Sequence, residues 1–266
     1  MPMIIDSHLH LSFMKKEGNF TRAKQILLRD MAKNGISKAI VIPDNLHNTN
    51  CADLDTVIKL TKNEPKLLMT ASLKIEDINK KNLDKIRKLF IKRRALGFKI
   101  FPGHDPVYPT DKRWLPIFNQ LQNYNLPLII HTGINSGQPE VAKYNDPKYI
   151  ALIARKFPKL KIIIAHYFWP KLDYCFKMTN GFNNIYFDTS GLADPEVIEI
   201  SGGIKKIKEI LTRTIKRRKD SVIFGTDWPM CKIKPHLTLI NSLKISPEGK
   251  NDILYKNALK IFGIKN

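Results

Sequence analysis

The chain has 266 residues, 43% hydrophobic and 26% charged, which suits one large soluble domain over 1–266, and no apolar run approaches the roughly 20 residues of a membrane span. Forty-five Lys and Arg against 24 Asp and Glu give a formal net charge of +21, an excess that raises nucleic acid as a partner. Cys51, Cys175 and Cys231 are too few and too scattered for a disulfide framework, and the amino terminus lacks a secretory pattern, so a cytoplasmic protein is expected.

Apolar strand and amphipathic helix alternate along the chain, the pattern of successive βα units. Residues 3–8 read as the first strand and 21–34 as the first helix, stopped by Gly35. The second strand is 38–43, with a helix at 53–62; the third is 67–73, followed by a basic helix at 80–95. Strand 97–101 leads to helix 114–124, strand 127–131 to helix 147–157, and strand 161–166 to helix 171–178. Residues 184–189 form the seventh strand, and a second basic helix leads into the eighth at 222–226. Eight strands in a chain of this length predict a closed (β/α)8 barrel, with its active site at the carboxyl ends of the strands.

Four of these apolar runs end in a metal-binding or acid/base side chain: His8 and His10, His131, His166, and Asp227. Successive strand side chains face opposite ways, so His8 and His10, two apart, point to one side and can grip one ion. Asp6 shares that face and reads as a partner behind the ligands. Only a closed barrel brings strands one, five, six and eight to one point.

His8-Leu9-His10 after the first strand, the strand-ending His131 and His166, Gly225-Thr226-Asp227-Trp228-Pro229 after the last, and Asn257-Ala258 near the terminus together resemble the amidohydrolase superfamily. The likeness is to its branch of metal-dependent hydrolases and aminocarboxymuconate-semialdehyde decarboxylase-like enzymes, and it runs from Ile4 to Gly263. The resemblance implies a divalent metal, most often zinc, held by His8, His10, His131 and Asp227, with His166 beside the activated water or as a further ligand. Imidazole and carboxylate suit that ion. Lys99 on the fourth strand leaves the metal count open: carbamylated, it would bridge a second ion, and as an ammonium it would reach a substrate carboxylate. One ion is preferred.

Asp227 is the expected proton carrier, and His166 an orienting or oxyanion-stabilising group. His104, Tyr108 and Arg113 after the fourth strand, His47 after the second, Trp169 and Trp228 are candidate substrate contacts, while His236 reads as surface. Cys51 and Cys175 read as buried thiols, and Cys231 is left open beside Asp227. The leading function is hydrolysis of an amide, lactone or ester bond in a small molecule, anionic ones included; the alternative is non-oxidative decarboxylation of an aromatic or muconate-type acid. Hydrolysis is preferred because such decarboxylases usually carry extra insertions. A nuclease is the remote third reading. Lys92-Arg93-Arg94 and Lys216 to Lys219 fall in last helical turns, where cations complement the helix dipole and lie at the barrel floor, which speaks against a nucleic-acid site. Oligomeric state is open, and a homo-oligomer is compatible with the sequence.

Overall fold

The computed structural model describes residues 3–12, 19–45, 50–134 and 139–265; His47 lies outside them. Its strands are β1 (Ile5–Leu9), β2 (Lys38–Val41), β3 (Leu67–Met69), β4 (Ala71–Ser72), β5 (Phe98–Ile100), β6 (Leu128–Ile130), β7 (Ile162–Ile164), β8 (Ile185–Asp188) and β9 (Val222–Ile223). Every pairing is parallel and joins neighbours in chain order. β3 and β4 are halves of the expected third strand, broken at Thr70. The Thr70 N–H still bonds Val41 O at 3.0 Å, whereas the Ala71 N–H turns to Gly97 O at 2.9 Å. One strand thereby hands its hydrogen bonds from one neighbour to the next.

Closure is made between the last strand and the first. Ser7 N–H donates to Phe224 O at 2.9 Å, Asp227 N–H to His8 O at 2.8 Å, and His10 N–H to Trp228 O at 2.8 Å. The result is the expected (β/α)8 barrel. Alternation along the strands sorts the core. Val41, Phe98, Ile100, Leu128, Ile130 and Ile162 pack under the helices, while Ile5, Ile40, Ile129, Ile163 and Ile223 fill the interior together with Ala258, Ile261 and Phe262 of the helix Asn257–Phe262. That helix closes the floor, and Phe262 is fully buried; truncating such a side chain to Ala costs about 3–5 kcal/mol.

Local signals explain the helices. Phe20–Asn34 begins where the Asn19 side chain accepts from Arg22 N at 2.8 Å, and it ends at Gly35, whose φ of 71° needs no Cβ. The basic helices Lys80–Ile91 and Ile204–Arg217 end at the floor. There the Arg93 guanidinium donates to Phe262 O at 2.9 Å, and Arg218 donates to Asn183 O and Ile185 O at the start of β8. His236 corrects an expectation, because it is fully buried. In the helix Ile233–Asn241 it shares the inward stripe of Ile233, Leu239 and Ile240, with Nδ1 donating to Lys232 O (2.9 Å) and Nε2 accepting from Ala193 N (3.3 Å). Among the described residues no helix is long and apolar enough to cross a membrane.

Candidate metal centre

His8 and His10 leave β1 on the same side, as the two-residue period requires. Their Nε2 atoms lie 3.3 Å apart, and Asp227 Oδ1 stands 3.5 Å from the first and 3.6 Å from the second. Both Nδ1 atoms face carboxylates. His8 Nδ1 is 2.7 Å from Asp188 Oδ2, and His10 Nδ1 is 3.1 Å from Asp44 Oδ1. A carboxylate only accepts, so His8 Nδ1 carries the proton and its Nε2 presents a lone pair; the Asp44 carboxylate beside His10 Nδ1 favours the same tautomer there. Two lone pairs and a carboxylate oxygen converging this closely repel one another unless a cation lies between them. Ligands about 2.0–2.1 Å from zinc at tetrahedral angles stand about 3.3–3.4 Å apart, close to the separations found here. These residues therefore fit a divalent ion and leave a position open for water or substrate.

Asp188, on β8, escaped the sequence reading. It accepts four hydrogen bonds: His8 Nδ1 on Oδ2, and His166 N (2.9 Å), Ser190 N (3.1 Å) and Ser190 Oγ (2.5 Å) on Oδ1. With His8 and His166 it forms a second group of mutually close ligand atoms, but its contacts are to the Nδ1 side of the His8 ring and to the backbone N–H of His166. It orients the ligands from behind, a role that commonly governs metal affinity. Asp44, after β2, does the same for His10. A signal existed for both, since Ile185-Tyr186-Phe187-Asp188 and Val41-Ile42-Pro43-Asp44 are also apolar runs ending in an acid. Asp6 braces backbone instead of imidazole: Oδ1 accepts from His8 N (3.2 Å) and Thr226 N (3.1 Å), and Oδ2 from Thr226 Oγ1 (2.6 Å).

His166 lies beside the cluster, its ring centroid 4.8 Å from that of His8. It opens a run of three left-handed residues, His166 (φ 60°), Tyr167 (54°) and Phe168 (56°), and Asp227 is likewise at φ 70°. Such conformations cost of order 1–3 kcal/mol each and persist where surroundings over-determine them. Here Thr132 does so, its hydroxyl donating to Ala165 O (2.5 Å) and accepting from Phe168 N (2.9 Å). His131 stands one imidazole further out, 5.0 Å from the His166 ring and 4.6 Å from that of His104. The expected four-ligand set thus comes together as three, with His131 at its edge.

Lys99 points into the barrel, fully buried, its Nζ 5.0 Å from the Phe101 ring centroid and without a hydrogen-bond partner among the described residues. Burial lowers its pKa to about 8 against the pull of Asp188, Asp227 and Asp44. Burial, Lys99 and His10 hold His8 well below the usual imidazole range. Burial and His8 do the same to His166, helped by Lys99. For His10, burial also disfavours the charged form, but Asp44 and Asp227 outweigh it and the pKa rises. Burial raises Asp227, opposed by His10 and Lys99, and it lifts Asp6 to about 7 despite the bonds from Thr226 and His8.

The softer candidates scatter. Tyr108 is exposed, its ring tilted against those of Tyr144 and Tyr149 at centroid distances of 5.0 and 4.7 Å. Arg113 is spent on Asp111, 2.9 Å away, at an exposed turn. Trp169 is half-buried near His166, its indole nitrogen 3.7 Å from where a Cβ on Gly191 would stand, with His166 Nδ1 at the same distance. Trp228 is not a pocket wall: its indole Nε1 donates to Asp30 Oδ2 (3.0 Å) on the first helix, so the ring packs outward. Cys231 is half-buried, and burial with the nearby Asp227 and Asp194 raises its pKa strongly, which keeps it a thiol. Cys175 is buried as expected, whereas Cys51 is only half-buried.

The amidohydrolase family model matches residues 5–264. No curated protein matches the sequence. An uncharacterised TIM-barrel protein from Bordetella bronchiseptica superposes with a TM-score of 0.78 at 20% identity, covering 98% of both chains. A probable 2-pyrone-4,6-dicarboxylic acid hydrolase from Acinetobacter baumannii, with citric acid bound, gives 0.70 at 14% identity over 98% of this chain and 99% of its own. A 5-carboxyvanillate decarboxylase from Novosphingobium aromaticivorans, complexed with manganese and 4-hydroxy-3-methoxy-5-nitrobenzoic acid, gives 0.69 at 16% identity over 99% and 96%.

Proposed function

The chain belongs to the amidohydrolase family and is an enzyme of it, and on that premise we propose that it removes a carboxylate, without oxidation, from a small aromatic or muconate-type acid. The observation that carries this reading is Lys99. A buried ammonium without a hydrogen-bond partner among the described residues is costly unless an anion completes it, and a divalent ion beside it adds to the demand for negative charge. A substrate carboxylate meets that demand. The preference for hydrolysis drawn from chain length weakens, since the barrel spans 96% of a 5-carboxyvanillate decarboxylase chain.

His8, His10 and Asp227 would hold the ion, with His131 at the edge of the set. When bound, zinc or manganese supplies a Lewis acid that draws electron density from the substrate. Lys99 pairs with the carboxylate and holds it in the barrel interior. The bond from ring or chain carbon to carboxyl carbon breaks, its electron pair stays on the substrate carbon, and Asp227 delivers a proton there as carbon dioxide leaves. Asp227 keeps a second carboxylate oxygen for that proton, since Oδ1 is the atom that faces the two histidines. Solvent then reprotonates it.

Hydrolysis of a lactone, amide or ester is the second reading, because the same carboxylate beside an open position can take a proton from water and pass it to the leaving oxygen or nitrogen as the acyl bond breaks. The 2-pyrone-4,6-dicarboxylic acid hydrolase, equally close in fold, favours it. A panel of hydroxylated benzoates, muconate-type acids, lactones and amides, run in D2O with manganese- or zinc-loaded protein, separates the two. Decarboxylation releases carbon dioxide and leaves one deuterium at the vacated carbon. Ring opening without carbon dioxide would overturn the first reading in favour of the second.

A further inference from the structure

We infer that Ser190 and Asp188 are positioning residues that fix the proton of His166 on Nδ1, so that His166 presents Nε2 to the site as a hydrogen-bond acceptor. The argument is a count of protons in a buried cluster. Ser190 is fully buried, and its hydroxyl has one proton with three polar neighbours: Asp188 Oδ1 at 2.5 Å, His166 Nδ1 at 2.8 Å and His8 Nδ1 at 3.1 Å. Asp188 can only accept. Were the hydroxyl proton turned toward His166, two oxygen acceptors would face each other at 2.5 Å with nothing between them. The proton therefore lies on the Asp188 side, in the charge-assisted bond that is the stronger of the choices.

Ser190 Oγ then offers only lone pairs to His166 Nδ1. The second group facing that nitrogen is Ser190 O at 3.4 Å, a carbonyl, which also only accepts. Nδ1 has two acceptors and no donor around it, so it carries the ring proton. The ring is buried and no carboxylate among the described residues forms an ion pair with it, so a charge there would be unpaired and costly; the ring is neutral, and a neutral imidazole has one proton. Nε2 is left with a lone pair.

This chooses between the two roles considered from the sequence. His166 can accept a hydrogen bond from water or from a substrate hydroxyl, whereas it has no proton on Nε2 to give a developing oxyanion. Asp188 fixes His8 and His166 together, since one carboxylate accepts from the His8 ring and from the hydroxyl that sets His166. The inference rests on the proposed function only for where the reacting group sits; the proton count stands without it.

The test uses metal-free protein labelled with 15N in its histidine rings, with His166 assigned by difference against His166→Gln. Ring-nitrogen correlation spectra should show a protonated Nδ1 and an unprotonated Nε2 for His166 in the wild-type protein. Ser190→Ala removes one of the two acceptors, and the His166 signals should move toward the average of both tautomers. Ser190→Thr, which keeps the hydroxyl, should return them. Zinc affinity of Ser190→Ala should stay within about threefold of wild type, well short of the 10- to 100-fold loss typical when a ligand's own partner is removed, because His8 keeps Asp188. A wild-type His166 protonated on Nε2 would overturn the inference, and this measurement decides alone if Ser190→Ala does not fold. An unchanged tautomer in a folded Ser190→Ala protein would remove Ser190 from the relay.

Discussion

Asp188→Asn is the substitution that separates a partner of the ligands from a bystander. Three donors, His166 N, Ser190 N and Ser190 Oγ, converge on Oδ1, so the new amide oxygen is held there and the NH2 group replaces Oδ2. That group then faces His8 Nδ1 across 2.7 Å. Two donors cannot share the contact, so His8 must move its proton to Nε2, the atom that lies 3.3 Å from His10 Nε2 and 3.5 Å from Asp227. The ligand lone pair is lost without any change in a ligand. Loss of such a partner typically costs 10- to 100-fold in metal affinity, or about 1.4–2.7 kcal/mol. Titration of zinc into chelator-stripped protein against a competing dye reads the effect, with near-ultraviolet circular dichroism as the fold control. A folded variant that binds zinc within about twofold of wild type would refute the tautomer argument, since the predicted loss starts near tenfold.

Further outcomes follow from the same geometry. His8→Ala with His10→Ala should bring metal content toward zero by elemental analysis while circular dichroism stays native. Asp227→Asn should lower kcat by about 10²-fold or more, as expected for a positioned acid or base, with much of the metal retained; near-normal turnover would free Asp227 of the proton. A Cβ on Gly225 would stand 2.9 Å from His8 Cβ, so Gly225→Ala should weaken zinc binding without altering a donor atom. Burial lowers the His236 pKa to about 4 from 6.5; the unfolded chain takes up that proton first, so its contribution to stability is present above pH 6.5 and is lost as pH falls toward 4. His236→Asn should therefore flatten the dependence of the urea midpoint on pH across this window, and an unchanged slope would contradict the burial argument. Duplex DNA should bind weakly and lose affinity steeply with salt, because Arg93 and Arg218 are engaged by backbone carbonyls.

The barrel was legible because each strand is a short apolar run and the residues that end those runs carry the chemistry. His8, His10, His166 and Asp227 come together for that reason. Asp188 and Asp44 satisfy the same rule but stand out less, because among 24 acids and 7 histidines an acid at a strand end is the weaker signal. Trp228 and His236 show a different limit. Their directions depend on Asp30, far along the chain, and on Ala193 N across a loop, contacts that no local pattern encodes. The break of the third strand at Thr70 also arises from its neighbours, since one side must serve β2 and the other β5. Where His131 would sit relative to the other ligands depended on the turn beyond β6, where spacing says nothing about how far an imidazole reaches.

The seam where the ring closes has a temporal meaning. His8 and His10 are synthesised well before Asp227, the carboxylate that completes their trio, and the side-chain bonds that lock the seam span 220 positions between Asp6 and Thr226. Contacts so distant along the chain are entropically expensive and form late. A growing chain therefore displays His8 and His10 without their carboxylate and cannot close the trio until residue 227 has emerged. The trio is therefore complete only once both ends of the barrel are in place, so whatever loosens the seam between Asp6 and Thr226 loosens the ligand set with it.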